Sequence, residues 1–401
     1  MRILHINCSF YGSTGKIMLS LKKSLEEIGS EALVCAPSNL PNKTKSFYSI
    51  ESSARRKINA GLDWLFGLNG CFAKQSTKKL IKQINMFNPD IVHLHNIHGS
   101  FVNISLLFDY LKKRKKAVVW TLHDCWAFTG RCPYFILSAC DRWEKGCHDC
   151  KYPKSFYPRA RIDKTAKMWS LKKQLFSGFD NMYLVCPSVW LSNLVGKSFL
   201  GIYPIVTINN GIDLNTFHPT PNVFREAHKI PKNAFVILGV AFGWGKRKGL
   251  DVFVELRKRL PNNYIIVLVG TDKSIDKSLP NGIIAVRRTN NQKELADIYS
   301  SADVFANPTR EEVLGLVNIE SLACGTPVVT FNTGGSPECL DEKCGSVVEC
   351  DDVESMASEI VRICNQRPYS KEDCIRRAQR FDEKRQCLKY IEFYQETMKG
   401  I

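Results

Sequence analysis

Short runs of β-branched and aliphatic residues alternate along the whole chain with longer stretches whose apolar positions recur every three or four residues. The first series of short runs is Ile3–Asn7, Ala32–Ala36, Ile91–His95, Ala117–His123, Tyr183–Pro187 and Ile205–Asn209. After a turn at Asn210–Asp213 a second series follows: Phe235–Ala241, Tyr264–Gly270, Ile283–Val286, Val304–Asn307, Pro327–Phe331 and Ser346–Glu349. Runs that are apolar on both faces and separated by helical stretches have the pattern of parallel strands with helical crossovers. Two such series predict an α/β chain of two Rossmann-like parallel-sheet domains facing a cleft, with ligands outside the carboxyl ends of the strands. The expected boundaries are 1–205 for the first domain and 206–383 for the second. Residues 384–401 carry a closing helix, Lys384–Met398, whose apolar stripe is expected to pack back on the first domain.

Length agrees with this division, since 401 residues exceed one ordinary core and fit two. A hydrophobic content of 44% and a charged content of 24% are those of a soluble globular protein. The longest apolar run, around Tyr264–Gly270, is strand-sized and not membrane-sized. Met1–Asn7 lacks the apolar centre and cleavage site of a signal peptide, which predicts a cytoplasmic chain whose 16 cysteines are thiols or metal ligands.

The net charge of +17 calls for an anionic partner or surface. Lys112–Lys116 is the densest run, and Arg55, Arg56, Lys57, Lys74, Lys78, Lys79 and Lys82 lie in the same half. Among them Ile58, Leu62, Trp64, Leu65 and Phe66 form an apolar face at helical spacing. Basic residues around such a face suit an anionic membrane surface. The alternatives are a solvated helix face and a nucleic-acid-binding module, although no zinc-finger, homeodomain or RNP pattern is present.

Candidate chemistry concentrates in the second half. Glu312 and Glu320 stand eight residues apart around Gly315, before an apolar stretch that stops at Gly325 and Pro327. If helical throughout, this span rises about 12 Å with both carboxylates on nearly one side. That exceeds the roughly 5 Å carboxylate pair of a retaining glycosidase and suits two acids gripping different parts of an elongated ligand around a helix N-terminus. The alternative is one surface and one helix-face glutamate. Gly243-Trp-Gly-Lys-Arg-Lys-Gly249, after a strand, offers a cationic turn able to neutralise a diphosphate, or simply a solvated basic turn. In the first half, Tyr11–Lys16 misses both the P-loop and the dinucleotide fingerprint, leaving Gly12 and Gly15 as a two-glycine turn into a helix. His95 and His123 end buried runs, the place for active-site residues or for structural hydrogen-bonding groups. A separate cluster, Cys132, Cys140, Cys147 and Cys150, lies within an insert at 125–150. Its Cys-x2-Cys pair matches a structural zinc site, with buried free thiols as the alternative.

Taken in order, these motifs give a family resemblance. Gly12-Ser-Thr-Gly15, Asp90-Ile-Val-His-Leu-His95, Thr121-Leu-His-Asp124, Pro187-Ser188 and Asn210-Gly-Ile-Asp213 with Phe217 and Pro219 carry its first part. Lys248-Gly249, Ala302-Asp303, Glu312-x7-Glu320, Cys324-Gly-Thr-Pro-Val-Val329 and Gly334-Gly335 complete it. The chain resembles the GT-B glycosyltransferases, specifically the retaining family 4 of bacterial surface-polysaccharide synthesis. The resemblance implies that Glu320 holds the ribose hydroxyls and Glu312 a hydroxyl of the donor sugar. The amides near Gly315 and Leu316 would meet the diphosphate with Lys248 neutralising it, Gly15 would let the N-terminal loop close over the phosphates, and His123 would stand beside the transferred sugar. One departure is that Phe242 and Gly243 occupy the positions where the family often carries an arginine, with Arg247 or Lys246 as its expected substitute in donor binding.

The expected activity is therefore transfer of a hexose or N-acetylhexosamine from a nucleotide diphosphate sugar, UDP by default, with retention. No cofactor is required for catalysis. The expected acceptor is a polyprenyl-diphosphate-linked saccharide at the cytoplasmic face of the inner membrane, as in O-antigen or capsule synthesis, with a soluble sugar or sugar phosphate as the alternative. Nucleic acid is not an expected partner.

Overall fold

The computed structural model describes residues 1–37, 45–151, 158–221 and 223–399, which form two compact units. The first comprises Met1–Asn209 together with the chain from Gln386 onward, and the second Asn210–Arg385.

In the first unit the strands are β1 (Arg2–Ile6), β2 (Glu31–Ala36), β3 (Phe47–Ser49), β4 (Ile91–Leu94), β5 (Ala117–Thr121), β6 (Met182–Cys186) and β7 (Ile205–Thr207). They make one parallel sheet in the order β3-β2-β1-β4-β5-β6-β7. The order reverses between β1 and β4, so the connections leave these strands in opposite directions and open a crevice at their carboxyl ends. The register sets His5 directly beside His93 across that switch point. The sheet is apolar on both faces because helices cover both. On one face the helix Glu383–Lys399 buries Cys387, Tyr390, Ile391, Phe393 and Tyr394 among Ile3, Ile91, Val119 and Val185. Each buried ring stabilises the unit by about 2 kcal/mol.

The second unit repeats the plan with β8 (Phe235–Val240), β9 (Tyr264–Val269), β10 (Ile283–Val286), β11 (Val304–Asn307), β12 (Val328–Phe331) and β13 (Gly345–Val348). Their order is β10-β9-β8-β11-β12-β13, again parallel, and the switch point lies between β8 and β11. Two apolar clusters, one around Tyr299 and Phe305 and one around Phe253 and Ile360, pack in this unit.

The pattern of apolar runs locates twelve of these strands, and β3 is the one it misses. Its three residues are all only half-buried at the edge of the sheet, which leaves no apolar run to detect. β4 and β5 also end earlier than their apolar runs, so His95 and His123 lie just beyond the strands. Among the described residues no helix is long and apolar enough to cross a membrane.

Candidate active site

In the second unit the switch point gathers two loops. The loop after β8 runs through the cationic turn, where Lys246–Lys248 form a single 3₁₀ turn closed by Gly249. Gly249 has φ +74°, and a Cβ there would meet the Pro308 carbonyl oxygen at 2.4 Å, so only glycine lets this turn press against the segment that follows β11. That segment carries Glu312. Lys248 Nζ donates to Glu312 Oε2 at 2.6 Å, and both side chains are about a fifth exposed. The Val313 amide donates to the other carboxylate oxygen at 3.2 Å. Burial pushes the Glu312 carboxyl up, but the Lys248 ammonium, its hydrogen bond and the nearby Arg247 guanidinium outweigh it and hold the group below the usual carboxylate range. Glu312 is thus a fixed carboxylate, suited to accept hydrogen bonds from hydroxyls and not to donate a proton.

Behind Glu312 the backbone is tightly seated. A Cβ on Gly334 would lie 1.8 Å from the Glu312 carbonyl oxygen, which also accepts from the Gly335 amide at 3.1 Å. Gly315, at φ +88°, then caps the helix Leu316–Ala323 without a side-chain hydrogen bond. The first-turn amides of that helix therefore lack a side-chain cap, as an anion-binding N-terminus requires. Asn318 Nδ2 donates to Ser336 Oγ at 2.9 Å, and its Oδ1 accepts from Asn307 at 2.7 Å, tying the helix start to β11. Glu320 follows one turn after Leu316, half-buried, with Oε2 accepting from the Tyr299 hydroxyl at 3.0 Å.

The helical span expected for the glutamate pair is corrected here. Gly315 in the left-handed region breaks the helix, so only Glu320 is helical and Glu312 projects from the loop before it. Sequence reasoning also missed Arg310. Its guanidinium holds Asp251 with two bonds of 2.8 and 2.9 Å and Asp351 at 2.6 Å, and it donates to the Lys246 carbonyl. Arg310 thereby fastens the cationic turn to the Glu312 loop. Its partners are distant in sequence, so no local spacing betrays it. Phe242 is fully exposed, and a Cβ on Gly243 would meet nothing within 4 Å.

In the first unit Gly15 lies in the first turn of the helix Gly12–Glu27, whose N-cap Tyr11 provides no side-chain bond. A Cβ at Gly15 would stand 2.5 Å from the Phe10 carbonyl carbon, so glycine is needed for the helix to pack on the loop from β1. His123 follows β5, and its Nε2 meets His95 Nδ1 at 3.1 Å. His95 Nε2 meets His5 Nδ1 at 3.2 Å. His93 is engaged at both nitrogens, by Tyr394 Oη at 2.6 Å and Thr121 Oγ1 at 2.8 Å. Burial lowers the pKa of His5 to about 3 and of His123 to about 4, and lowers those of His93 and His95. His5, His93 and His95 are the one set of three metal-ligand side chains lying within 4.8 Å among the described residues. Their rings pack at 4.0 to 5.5 Å, and every ring nitrogen but His5 Nε2 is engaged by another imidazole or a hydroxyl, which makes this a hydrogen-bonded core. Next to His123, Asp124 accepts from His98 at 2.8 Å and from the Trp126 amide at 2.9 Å.

The two basic features separate. Lys112–Lys116 precede β5 at the amino edge of the sheet, opposite His95 and His123. There Lys112 lies over the Phe179 ring, and Arg114 and Lys116 donate to the Pro89 carbonyl. That run largely closes helix and loop ends. The helix Ser53–Phe66 instead exposes Ile58, Trp64 and Phe66 beside Arg55 and Lys57. Cys132, Cys140, Cys147 and Cys150 are half-buried free thiols in the segment 129–164, whose described residues form neither helix nor strand.

A model described as Glycosyltransferase Family 4 matches residues 15–216, just over half of the chain, and one described as Glycosyl transferases group 1 matches residues 233–366. The chain is 27% identical over 276 residues to the putative colanic acid biosynthesis glycosyl transferase WcaC of Escherichia coli K12, covering 66% of this chain and 65% of that one. It is 31% identical over 216 residues to D-inositol 3-phosphate glycosyltransferase of Saccharomonospora viridis, covering 48% of this chain and 50% of the relative. The chain thus spans between half and two thirds of the length of these two relatives. Among solved structures, HepE of Anabaena in complex with UDP and glucose superposes with a TM-score of 0.70 at 15% identity, over 99% of this chain and 100% of that one. At that identity the likeness establishes the shared fold.

Proposed function

Since the chain belongs to glycosyltransferase family 4, we propose that it transfers a hexose or N-acetylhexosamine from a nucleotide diphosphate sugar, with UDP the default nucleotide, to a saccharide on a polyprenyl diphosphate. The observation that carries this reading is one stretch of the second unit. A carboxylate fixed by Lys248, an uncapped helix start at Gly315 and a second carboxylate at Glu320 follow one another there. A sugar hydroxyl, a diphosphate and a ribose present the matching groups in the same sequence. The UDP and glucose bound to HepE and the glycosyl transfer named for WcaC support it.

Retention is the stereochemical outcome this reading expects. The bond from the sugar anomeric carbon to the phosphate oxygen breaks, and the bond to the acceptor oxygen forms on the same face. The acceptor's proton passes to the departing phosphate. Glu312, paired with Lys248, is a hydroxyl acceptor and not a nucleophile. Lys248, Arg247 and the amides at Gly315 and Leu316 stabilise the charge that builds on the diphosphate. His123 is proposed to stand beside the transferred sugar, and Gly15 to admit the phosphates.

A lipid-linked acceptor puts the enzyme on the cytoplasmic face of the inner membrane, with the exposed Ile58, Trp64 and Phe66 among basic residues as its contact. The relatives named for D-inositol 3-phosphate favour a second reading, a soluble phosphorylated acceptor. One set of assays separates these. Purified chain is screened against nucleotide sugars, and the product's anomeric configuration is read by NMR. Glu312→Ala should abolish transfer, and an inverted product would refute the mechanism. Sedimentation with anionic vesicles that is lost in Trp64→Ser/Phe66→Ser supports the membrane acceptor. Full turnover of a soluble sugar phosphate without vesicle binding supports the other.

A further inference from the structure

We propose that Cys132, Cys140, Cys147 and Cys150 bind one structural zinc ion as thiolates, and that the ion organises residues 129–151. This segment contains neither helix nor strand and is held by side chains, among them buried Trp143 stacked on Phe135. The four cysteines come from three separate places in the chain, and Cys140, Cys147 and Cys150 each lie near enough to Cys132 to bear on its thiol.

The backbone around them is shaped for sulfur. The Gly130 amide donates to Cys147 Sγ at 3.1 Å, and Arg131 Nη2 donates to Cys150 Sγ at 3.6 Å. Such N–H···S bonds offset the charge of metal-bound thiolates. A Cβ on Gly130 would lie 2.8 Å from Cys147 Cβ, so glycine there lets the two arms of the segment close on each other. Three of the four cysteines follow a residue at positive φ: Ala139 at 46°, Gly146 at 131° and Asp149 at 42°. Two of those are not glycine, and each such turn carries a backbone cost of about 1 kcal/mol or more that a ligand would offset.

Charge supplies an independent argument. Lys172 is wholly buried, and Nζ donates only to the carbonyls of Trp126, at 2.7 Å, and Thr129, at 3.0 Å, while lying 3.5 Å from the Trp126 ring centroid. Among the described residues it has no ion-pair partner. The groups near enough to bear on it are Cys147, Asp124, Cys132 and Cys71, and burial holds the three thiols neutral. Burial lowers the Lys172 amine to about 7, and zinc with four thiolates, at a net double negative charge, would favour its charged form. Closing the site requires the sulfurs to draw together, because no three of the four lie within 4.8 Å among the described residues, against about 3.8 Å in a tetrahedral thiolate centre.

The test uses the full chain, purified under reducing conditions without chelator. Elemental analysis should find about one zinc per chain, and exchange with cobalt(II) should give the thiolate-to-metal charge-transfer and visible bands of tetrahedral sulfur coordination. Cys147→Ser/Cys150→Ser should lose zinc at least about tenfold, whereas Cys350→Ser, an exposed thiol in the second unit, should retain it. Should the double variant fail to fold, the cobalt spectrum of the wild-type chain decides. Wild-type protein that is folded and zinc-free, a spectrum without sulfur ligation, or cysteines paired as disulfides would each overturn the proposal.

Discussion

Four imidazoles buried uncharged in one sheet make the first unit sensitive to acid. His5, His93 and His95 are essentially inaccessible, and His123 is 8% exposed. Burial lowers every one of them, with Lys22 adding to the effect at His5 and Asp124 opposing it at His123. The sign follows from proton binding. Above about pH 6.5 these groups are neutral whether the chain is folded or not, and contribute nothing to the pH dependence. Below it the unfolded chain takes up protons that the folded chain refuses, so stability falls as pH falls towards the folded values, about 3 for His5 and about 4 for His123. Each imidazole contributes about 1.4 kcal/mol per pH unit, and four contribute about 5.6. Against a stability of roughly 5–15 kcal/mol, the first unit should unfold about one to three pH units below 6.5. Urea unfolding at pH 7.5, 6.5, 6.0 and 5.5, followed by tryptophan fluorescence, measures this directly, because six of the seven tryptophans lie in the first unit. His5→Phe, which keeps a ring in the same space, should reduce the slope by one imidazole's share. A slope under about one proton between pH 6.5 and 5.5 would refute the reasoning.

Further outcomes concern the second unit. Lys248→Met leaves the Glu312 carboxylate without its cation and should cost about 3 kcal/mol in chemical denaturation, while Lys248→Met/Glu312→Gln should recover most of that stability and remain inactive. A double variant no more stable than the single one would show that the pair is not coupled. Tyr299→Phe removes one hydrogen bond to Glu320 and should weaken UDP binding by calorimetry by about 1–2 kcal/mol, with kcat nearly unchanged. Gly334→Ala forces a methyl group into the Glu312 carbonyl and should reduce kcat by more than about tenfold, even where thermal unfolding shows a folded chain.

Much of this architecture is legible in sequence because a parallel strand covered on both faces carries an apolar run in place of polar alternation. β9 is apolar throughout, and in β5 the run Ala117, Val118, Val119 and Trp120 is buried without a break. What such patterns cannot supply is contact between distant segments. Arg310 is one cation among many until Asp251 and Asp351 are seen around it, and His5 is a lone polar residue in a strand until the sheet register sets it beside His93. The helix start at Leu316 escapes a reading by spacing because one glycine at positive φ outweighs the apolar periodicity around it. Lys112–Lys116 is opaque for a different reason, since charge density says nothing of which edge of a sheet the charges occupy.

The line of imidazoles from His5 through His95 to His123 also has a direction. A neutral imidazole owns one N–H and one bare lone pair, so two consecutive ring-to-ring bonds can form only if all three protons point the same way. The terminal nitrogens, His5 Nε2 and His123 Nδ1, have no hydrogen-bond partner among the described residues. Burying an N–H without an acceptor is rarer than burying a bare lone pair, and His5 is the more deeply enclosed end. The protons therefore point outward, and a choice of tautomer made in the core delivers His123 Nδ1 at the end of β5 as a hydrogen-bond donor.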